Sequence, residues 1–308
     1  MLGRQAALAK KIGQSLRDGV ASESLREHLE AVRAAQPKPS SWAAVEDGFL
    51  RAMEVFDSHV IAGEAGEGER QNGKGDYFND LIAALLEHSS GADLTKRTGV
   101  PGLIFDRHSL DVTYPPQGSI VEVLIEAKML GTPKHPGSVK AKAFGRPGAA
   151  DLLKRFKEAG FKTIDLKGGY GYKQSQANLA VQAGPSGDLT SWLRQAKPKS
   201  FILAAVRVVS ESDFAAVVRV ADSMQQAMDA VGLACYRPKG FDVDSLNPPA
   251  YEMVRVPRSV DINHVLHRIS QDLRDAVRNV AERSADEDRV AGIETPAEAA
   301  RKLTQGED

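Results

Sequence analysis

The apolar positions at the start of the chain recur at helical spacing. The clearest stripe is Trp42, Val45, Phe49 and Met53, which fall on one face of a helix. Earlier segments show the same period and carry serines suited to helix capping. We therefore predict a helical N-terminal region over residues 1–62. Residues 63–75 are rich in glycine, polar and without an apolar period, which predicts a linker.

Helical and extended patterns alternate irregularly after residue 75. Helical spacing predicts helices over 76–88, 149–159, 211–230 and 261–282, with Gly160 ending the second of them. Short apolar runs predict strands over 102–105, 109–114, 119–128, 161–166 and 201–209, and an edge strand over 251–256. This order predicts an α/β fold, a mixed β-sheet flanked by helices. It lacks the regular strand–helix alternation of a doubly wound nucleotide-binding fold.

Composition excludes several classes of protein. The chain has 308 residues, with 42% hydrophobic and 26% charged residues, as expected of a globular protein. No run approaches the roughly 20 apolar residues that a membrane span needs. The single cysteine, Cys235, excludes an internal disulfide and a thiolate zinc site, and favours a cytoplasmic location.

Charge is unevenly distributed, although the net charge is only −1. Residues 128–173 contain eleven Lys or Arg against three acids, a local charge of +8, whereas residues 284–308 form an acidic tail. A basic segment inside a neutral chain indicates a polyanionic partner such as nucleic acid. The alternative is a solvated lysine-rich face.

Three charged side chains are predicted to converge on the hairpin formed by 109–114 and 119–128. Glu126 and Lys128 lie two residues apart on one strand and therefore project from the same face. Asp111 arrives from the neighbouring strand. Two carboxylates are suitable ligands for Mg²⁺, which activates water and offsets negative charge in phosphodiester hydrolysis. A nearby lysine orients or deprotonates the attacking water.

The pattern Asp111…Glu126-Ala127-Lys128 resembles the PD-(D/E)xK nucleases, the superfamily of most type II restriction endonucleases and several repair nucleases. Leu110 replaces the proline of the pattern. The resemblance implies a restriction-endonuclease-like core over 76–283, with Asp111 and Glu126 as Mg²⁺ ligands and Lys128 as a catalytic residue. It also implies a supporting acid on the preceding helix, which Asp80 matches. It covers residues 73–170, about a third of the chain.

The basic segment fits the same resemblance. The loop after Lys128 is expected to hold DNA phosphates, as are residues of the following segment. The predicted DNA-binding residues are Lys134, Lys140, Lys142, Arg146, Lys154 and Lys173. The resemblance implies a cytoplasmic, Mg²⁺-dependent endonuclease that cleaves double-stranded DNA at a specific sequence. Cutting both strands of a symmetric site favours a homodimer.

The sequence leaves several alternatives open. Glu122 competes with Glu126 for the role of second acid, and Asp106 competes with Asp111. Glu126 and Lys128 are otherwise an exposed ion pair at a strand end. The alternative functions are a DNA repair or recombination nuclease of the same fold and a non-catalytic DNA-binding protein.

Overall fold

The computed structural model describes residues 40–62, 67–115, 121–133, 145–177, 188–239 and 250–290. Six strands pair in chain order to form one sheet. They are β1 (Thr95–Val100), β2 (His108–Tyr114), β3 (Val123–Leu130), β4 (Lys199–Arg207), β5 (Ala230–Pro238) and β6 (Tyr251–Val254). The first three are antiparallel, β3, β4 and β5 are parallel, and β6 adds an antiparallel edge. The prediction of a mixed sheet flanked by helices is confirmed.

Six α-helices accompany the sheet in the described ranges. They are α1 (Trp42–Ala62), α2 (Glu67–Ser90), α3 (Gly148–Ala177), α4 (Leu189–Gln195), α5 (Glu211–Met224) and α6 (Ile262–Val290). None of the described helices combines the length and apolar character needed to cross a bilayer.

The two faces of the sheet carry separate apolar cores. On one face, α1, α2 and α6 pack around residues such as Phe49, Phe78 and Ile125. On the other face, α3 and α5 pack around residues such as Phe156 and Val206. Each fully buried side chain of this size contributes about 1.5–3 kcal/mol, which fixes the helices against the sheet. Because side chains alternate along a strand, the residues of β3 that flank Ile125 project toward α3.

A buried polar network ties α1 and α2 to the sheet. Lys74 of α2 pairs with Asp57 of α1, and both side chains are almost fully buried. The Tyr251 hydroxyl donates to Asp57 at 2.6 Å and accepts from Arg207 Nε at 3.0 Å. Burial lowers the pKa of Lys74, although the charge of Asp57 opposes that change. These contacts satisfy charged groups that would otherwise be costly to bury.

Helix α3 differs most from the sequence-based prediction. Gly160 does not end it, and residues 161–166 form no strand, because the helix continues to Ala177. Its buried positions keep the helical spacing through the glycine, as Phe156, Thr163 and Leu166 show. A glycine inside a helix costs about 1 kcal/mol relative to alanine, which this packed face offsets.

Other boundaries also differ. Residues 102–105 form a loop and not a strand. The strand that precedes β2 is instead β1, at Thr95–Val100. The helix predicted to end at residue 230 ends at Met224, and Ala230 begins the buried strand β5. Within the predicted linker, residues 67–75 form the start of α2. The helix at Trp42–Ala62 and the edge strand β6 are confirmed, whereas the predicted helices before residue 40 lie outside the described residues.

Candidate active site

The candidate site lies where β2 and β3 stop pairing. Val112 pairs with Ile125, and the same register places Asp111 beside Glu126. There the Asp111 carboxylate accepts the backbone N–H of Ala127 through Oδ2 at 2.9 Å. The Asp111 side chain thus accepts a hydrogen bond from the backbone of β3, next to the cross-strand pair of Val112 and Ile125. This hydrogen bond holds the carboxylate against β3.

Lys128 joins the two predicted acids. Its Nζ lies 2.5 Å from Asp111 Oδ2 and 2.5 Å from Glu126 Oε2. Glu126 and Lys128 project from the same face of β3, toward α3, as their two-residue spacing requires. The structure therefore brings Asp111, Glu126 and Lys128 into one cluster.

A fourth residue, Lys162 of α3, completes this cluster. Its Nζ donates to Glu126 Oε1 at 3.0 Å and to the carbonyl oxygen of Ser109 at 2.8 Å. The sequence pattern placed Lys162 at the edge of a strand, so its approach to Glu126 was not predicted. The only available signal was helical periodicity continuing past Gly160, which carries α3 across this part of the sheet.

Electrostatics balance the cluster. Two carboxylates face two ammonium groups, so the buried charge of Glu126, whose side chain is 2% exposed, is compensated. Burial alone would lower the pKa of Lys128, but the charges of Glu126 and then Asp111 outweigh it and raise that pKa. Lys128 is therefore a charged donor at neutral pH. Asp111, Lys128 and Lys162 are each partly exposed, which leaves the cluster open to a ligand.

The donor set suits one class of metal ion. Asp111 and Glu126 offer hard oxygen atoms on either side of Lys128 Nζ, a position that already favours positive charge. Within the described ranges, no group of three or more His, Cys, Asp or Glu is placed to hold a metal. The two carboxylates fit a cation such as Mg²⁺, which keeps several waters and takes phosphate oxygens as its remaining ligands.

Asp80, on α2, makes its ion pair outside the cluster. Its carboxylate pairs with Lys96 of β1. Its neighbour Asn79 donates through Nδ2 to the backbone carbonyl oxygen of Asp111 at 3.3 Å. The helix that carries Asp80 thus contacts the backbone of Asp111, while the Asp80 carboxylate is engaged by a lysine.

The competing acids occupy other surroundings. Glu122 is buried, and its carboxylate binds Lys197 at 2.5 Å, Arg283 at 2.7 Å and the Tyr170 hydroxyl at 3.1 Å. Burial and the charge of Glu122 raise the pKa of Tyr170 to about 12. These contacts connect α3 and α6 to the start of β3, which is a structural role. Asp106 lies exposed in the β1–β2 loop.

The described ranges include three of the six predicted DNA-binding residues. Arg146 pairs with Asp151, and the exposed Lys154 lies 4.0 Å from Glu158. Lys173 lies in α3. The remaining residues of the set, Lys134, Lys140 and Lys142, lie outside the described residues.

Comparison with known proteins returns no match among family models, curated proteins or solved structures. Function therefore has to be inferred from the residues and the geometry of this chain. The most informative feature is the cluster of Asp111, Glu126, Lys128 and Lys162.

Proposed function

We propose that the chain is a Mg²⁺-dependent endonuclease that hydrolyses phosphodiester bonds of double-stranded DNA. The observation that carries the proposal is the contact of Lys128 Nζ with Asp111 and Glu126, each at 2.5 Å, at a partly exposed strand end. The resemblance of these residues to the PD-(D/E)xK pattern supports it. The mixed sheet flanked by helices is compatible with a restriction-endonuclease-like fold.

Each residue of the cluster has a chemical role in this proposal. Asp111 and Glu126 would hold the metal, and Asp80 would support this region from α2. When bound, Mg²⁺ would lower the pKa of a coordinated water molecule and offset the charge that develops on the phosphate. Lys128 orients the attacking water and donates to a phosphate oxygen. Lys162 fixes the orientation of Glu126 by donating to its second oxygen.

The surrounding charge supports a DNA substrate. The local excess of +8 over residues 128–173 attracts a polyanion without specifying its sequence. The segment supplies the predicted DNA-binding residues Lys134, Lys140, Lys142, Arg146, Lys154 and Lys173. Within the proposal the chain acts as a type II restriction endonuclease in the cytoplasm. A homodimer places two such sites on a symmetric sequence.

Incubation with unmethylated supercoiled plasmid tests the proposal directly. The wild-type chain is expected to produce discrete linear fragments with Mg²⁺ and none with EDTA. Asp111→Asn is expected to abolish cleavage while keeping most of the DNA affinity. Cleavage confined to branched or damaged DNA would assign a repair nuclease instead. Binding of DNA without cleavage in Mg²⁺ would assign a non-catalytic DNA-binding protein.

A further inference from the structure

An exposed apolar patch lies beside the candidate active site. We define it as Leu103, Ile104 and Phe105 of the β1–β2 loop together with Phe161 and Ile164 of α3. These side chains are 42–70% exposed. The rings of Phe105 and Phe161 meet edge-to-face with centroids 5.5 Å apart, so loop and helix form one surface. Exposed apolar side chains that form one surface indicate an interaction site more strongly than singly scattered ones do.

The loop that carries the patch is held in one conformation. The Asp165 carboxylate accepts the backbone N–H groups of Ile104 at 2.7 Å and Phe105 at 3.2 Å, and it binds His108 Nε2 at 2.6 Å. The loop backbone also lies against α3, where a Cβ on Gly169 would come within 2.8 Å of the Gly102 carbonyl carbon. The apolar tips are therefore presented by a fixed backbone, which reduces the entropy lost on binding.

The patch and the active site share two structural elements. Phe161 directly precedes Lys162, which contacts Glu126. His108, which packs 5.7 Å from the Phe105 ring, lies three residues before Asp111 on β2. Three residues of a strand span about 10 Å. The patch therefore lies close enough to the active site for one DNA strand to contact both.

The charges around the patch indicate the chemistry of its partner. Lys154, Arg155 and Lys157 lie exposed on the preceding turns of α3, and Arg107 lies exposed in the loop. Two exposed acids lie among these four cations: Asp106 of the loop, and Glu158, which pairs with Arg155. A cationic rim around aromatic and aliphatic side chains complements a nucleic acid strand whose bases are available for stacking. A second copy of the chain would bring the same cations together.

We propose that the apolar patch stacks against unpaired nucleobases of the DNA strand that enters the active site. The bound DNA then carries unstacked bases close to the scissile phosphate. This inference rests on the proposed function, because it names the substrate that the nuclease site takes. The bases are extruded from the duplex that the nuclease binds, and bases in a single-stranded gap present the same aromatic faces without the cost of unpairing.

Fluorescence anisotropy of the full chain in EDTA tests the proposal, with an intact duplex and the same duplex carrying a three-nucleotide gap. The wild-type chain is expected to bind the gapped duplex more tightly. Phe105→Leu keeps the patch apolar but removes the stacking ring, and it is expected to weaken gapped-duplex binding by about 5- to 150-fold. Phe105→Trp is expected to retain wild-type affinity. Leu189→Ser, at an exposed leucine of α4, is the matched control and is expected to change nothing.

A 2-aminopurine base in the intact duplex distinguishes the two sources. A fluorescence increase on binding supports extrusion. No increase, together with tight gapped-duplex binding, would overturn extrusion in favour of capture of bases that are already unpaired. Equal affinity of wild type and Phe105→Leu for the gapped duplex would overturn the role of the patch. Concentration-dependent self-association would also overturn it, if Phe105→Ser abolishes that self-association and leaves the DNA affinity unchanged.

Mg²⁺-dependent cleavage separates the two proposals. If the wild type cleaves DNA and Phe105→Leu binds both duplexes with wild-type affinity, the role of the patch is overturned and the proposed nuclease activity is retained. The predicted binding pattern without any cleavage would overturn the nuclease and leave the patch as a nucleobase-binding surface. Ile104→Ser provides a second variant of the patch, and because Ile104 is 70% exposed its substitution leaves the core intact.

Discussion

Substitution of Lys162 by methionine removes one cation from the candidate active site while keeping the length of the side chain. Lys162 Nζ donates to Glu126 Oε1 at 3.0 Å and to the Ser109 carbonyl oxygen at 2.8 Å. Without it, Glu126 keeps its contact with Lys128 but loses the donor on its second oxygen. The carboxylate then rotates more freely, and the charge on the substrate phosphate loses a neighbouring cation.

Both catalysis and stability are expected to change. Loss of a partner that orients a metal ligand lowers activity by about 10–100-fold. Lys162 is about a quarter exposed, whereas Glu126 is buried. We therefore expect only about 1–2 kcal/mol of lost stability, between the values typical of exposed and buried ion pairs.

Steady-state cleavage of a labelled oligonucleotide, with thermal melting of each variant, measures both effects. Lys157→Met is the matched control, because Lys157 lies exposed on the same helix. It is expected to raise KM through weaker phosphate attraction while leaving kcat unchanged. A kcat for Lys162→Met within twofold of the wild-type value would refute the role assigned to Lys162.

Further predictions concern stability and reactivity. Lys74→Met leaves Asp57 buried without its cation and is expected to cost about 3–5 kcal/mol in urea unfolding; a loss below 1 kcal/mol would contradict this account. Burial raises the pKa of Cys235 to about 12, so a thiol reagent at pH 8 should label the protein only after unfolding. Although burial opposes it, hydrogen bonds from His108 and the loop backbone lower the pKa of Asp165. The contribution of Asp165 to stability is complete above the ordinary carboxyl pKa of about 4, and it is lost as pH falls through the lowered pKa. Thermal melting curves measured across acid pH should show a weaker pH dependence for Asp165→Asn.

The central part of the candidate site was predictable because it depends on local geometry. Alternation along a strand places Glu126 and Lys128 on one face, and a hairpin brings Asp111 from the adjacent strand. These relations need no knowledge of distant contacts. The role of Lys162 was not predictable in this way, because it depends on how α3 crosses the sheet 36 residues after Glu126.

The errors in the predicted fold have related causes. The sequence around Gly160 predicts a helix end, although the buried face of α3 continues through it. Strand β5 is buried almost throughout and therefore lacks the polar–apolar alternation that identifies a half-buried strand. Tertiary packing decided both cases, and it overrides the local sequence preference.

The most direct measurement compares the Mg²⁺-dependent cleavage rates of Glu126→Gln and Glu122→Gln. The two glutamates lie four residues apart, and both are buried, but only Glu126 contacts Lys128. We predict that Glu126→Gln lowers the rate by at least about 10²-fold. Glu122→Gln is expected to cleave at close to the wild-type rate at temperatures where it remains folded. Equal rates for the two folded variants, or a larger loss for Glu122→Gln, would contradict the assignment of the active site.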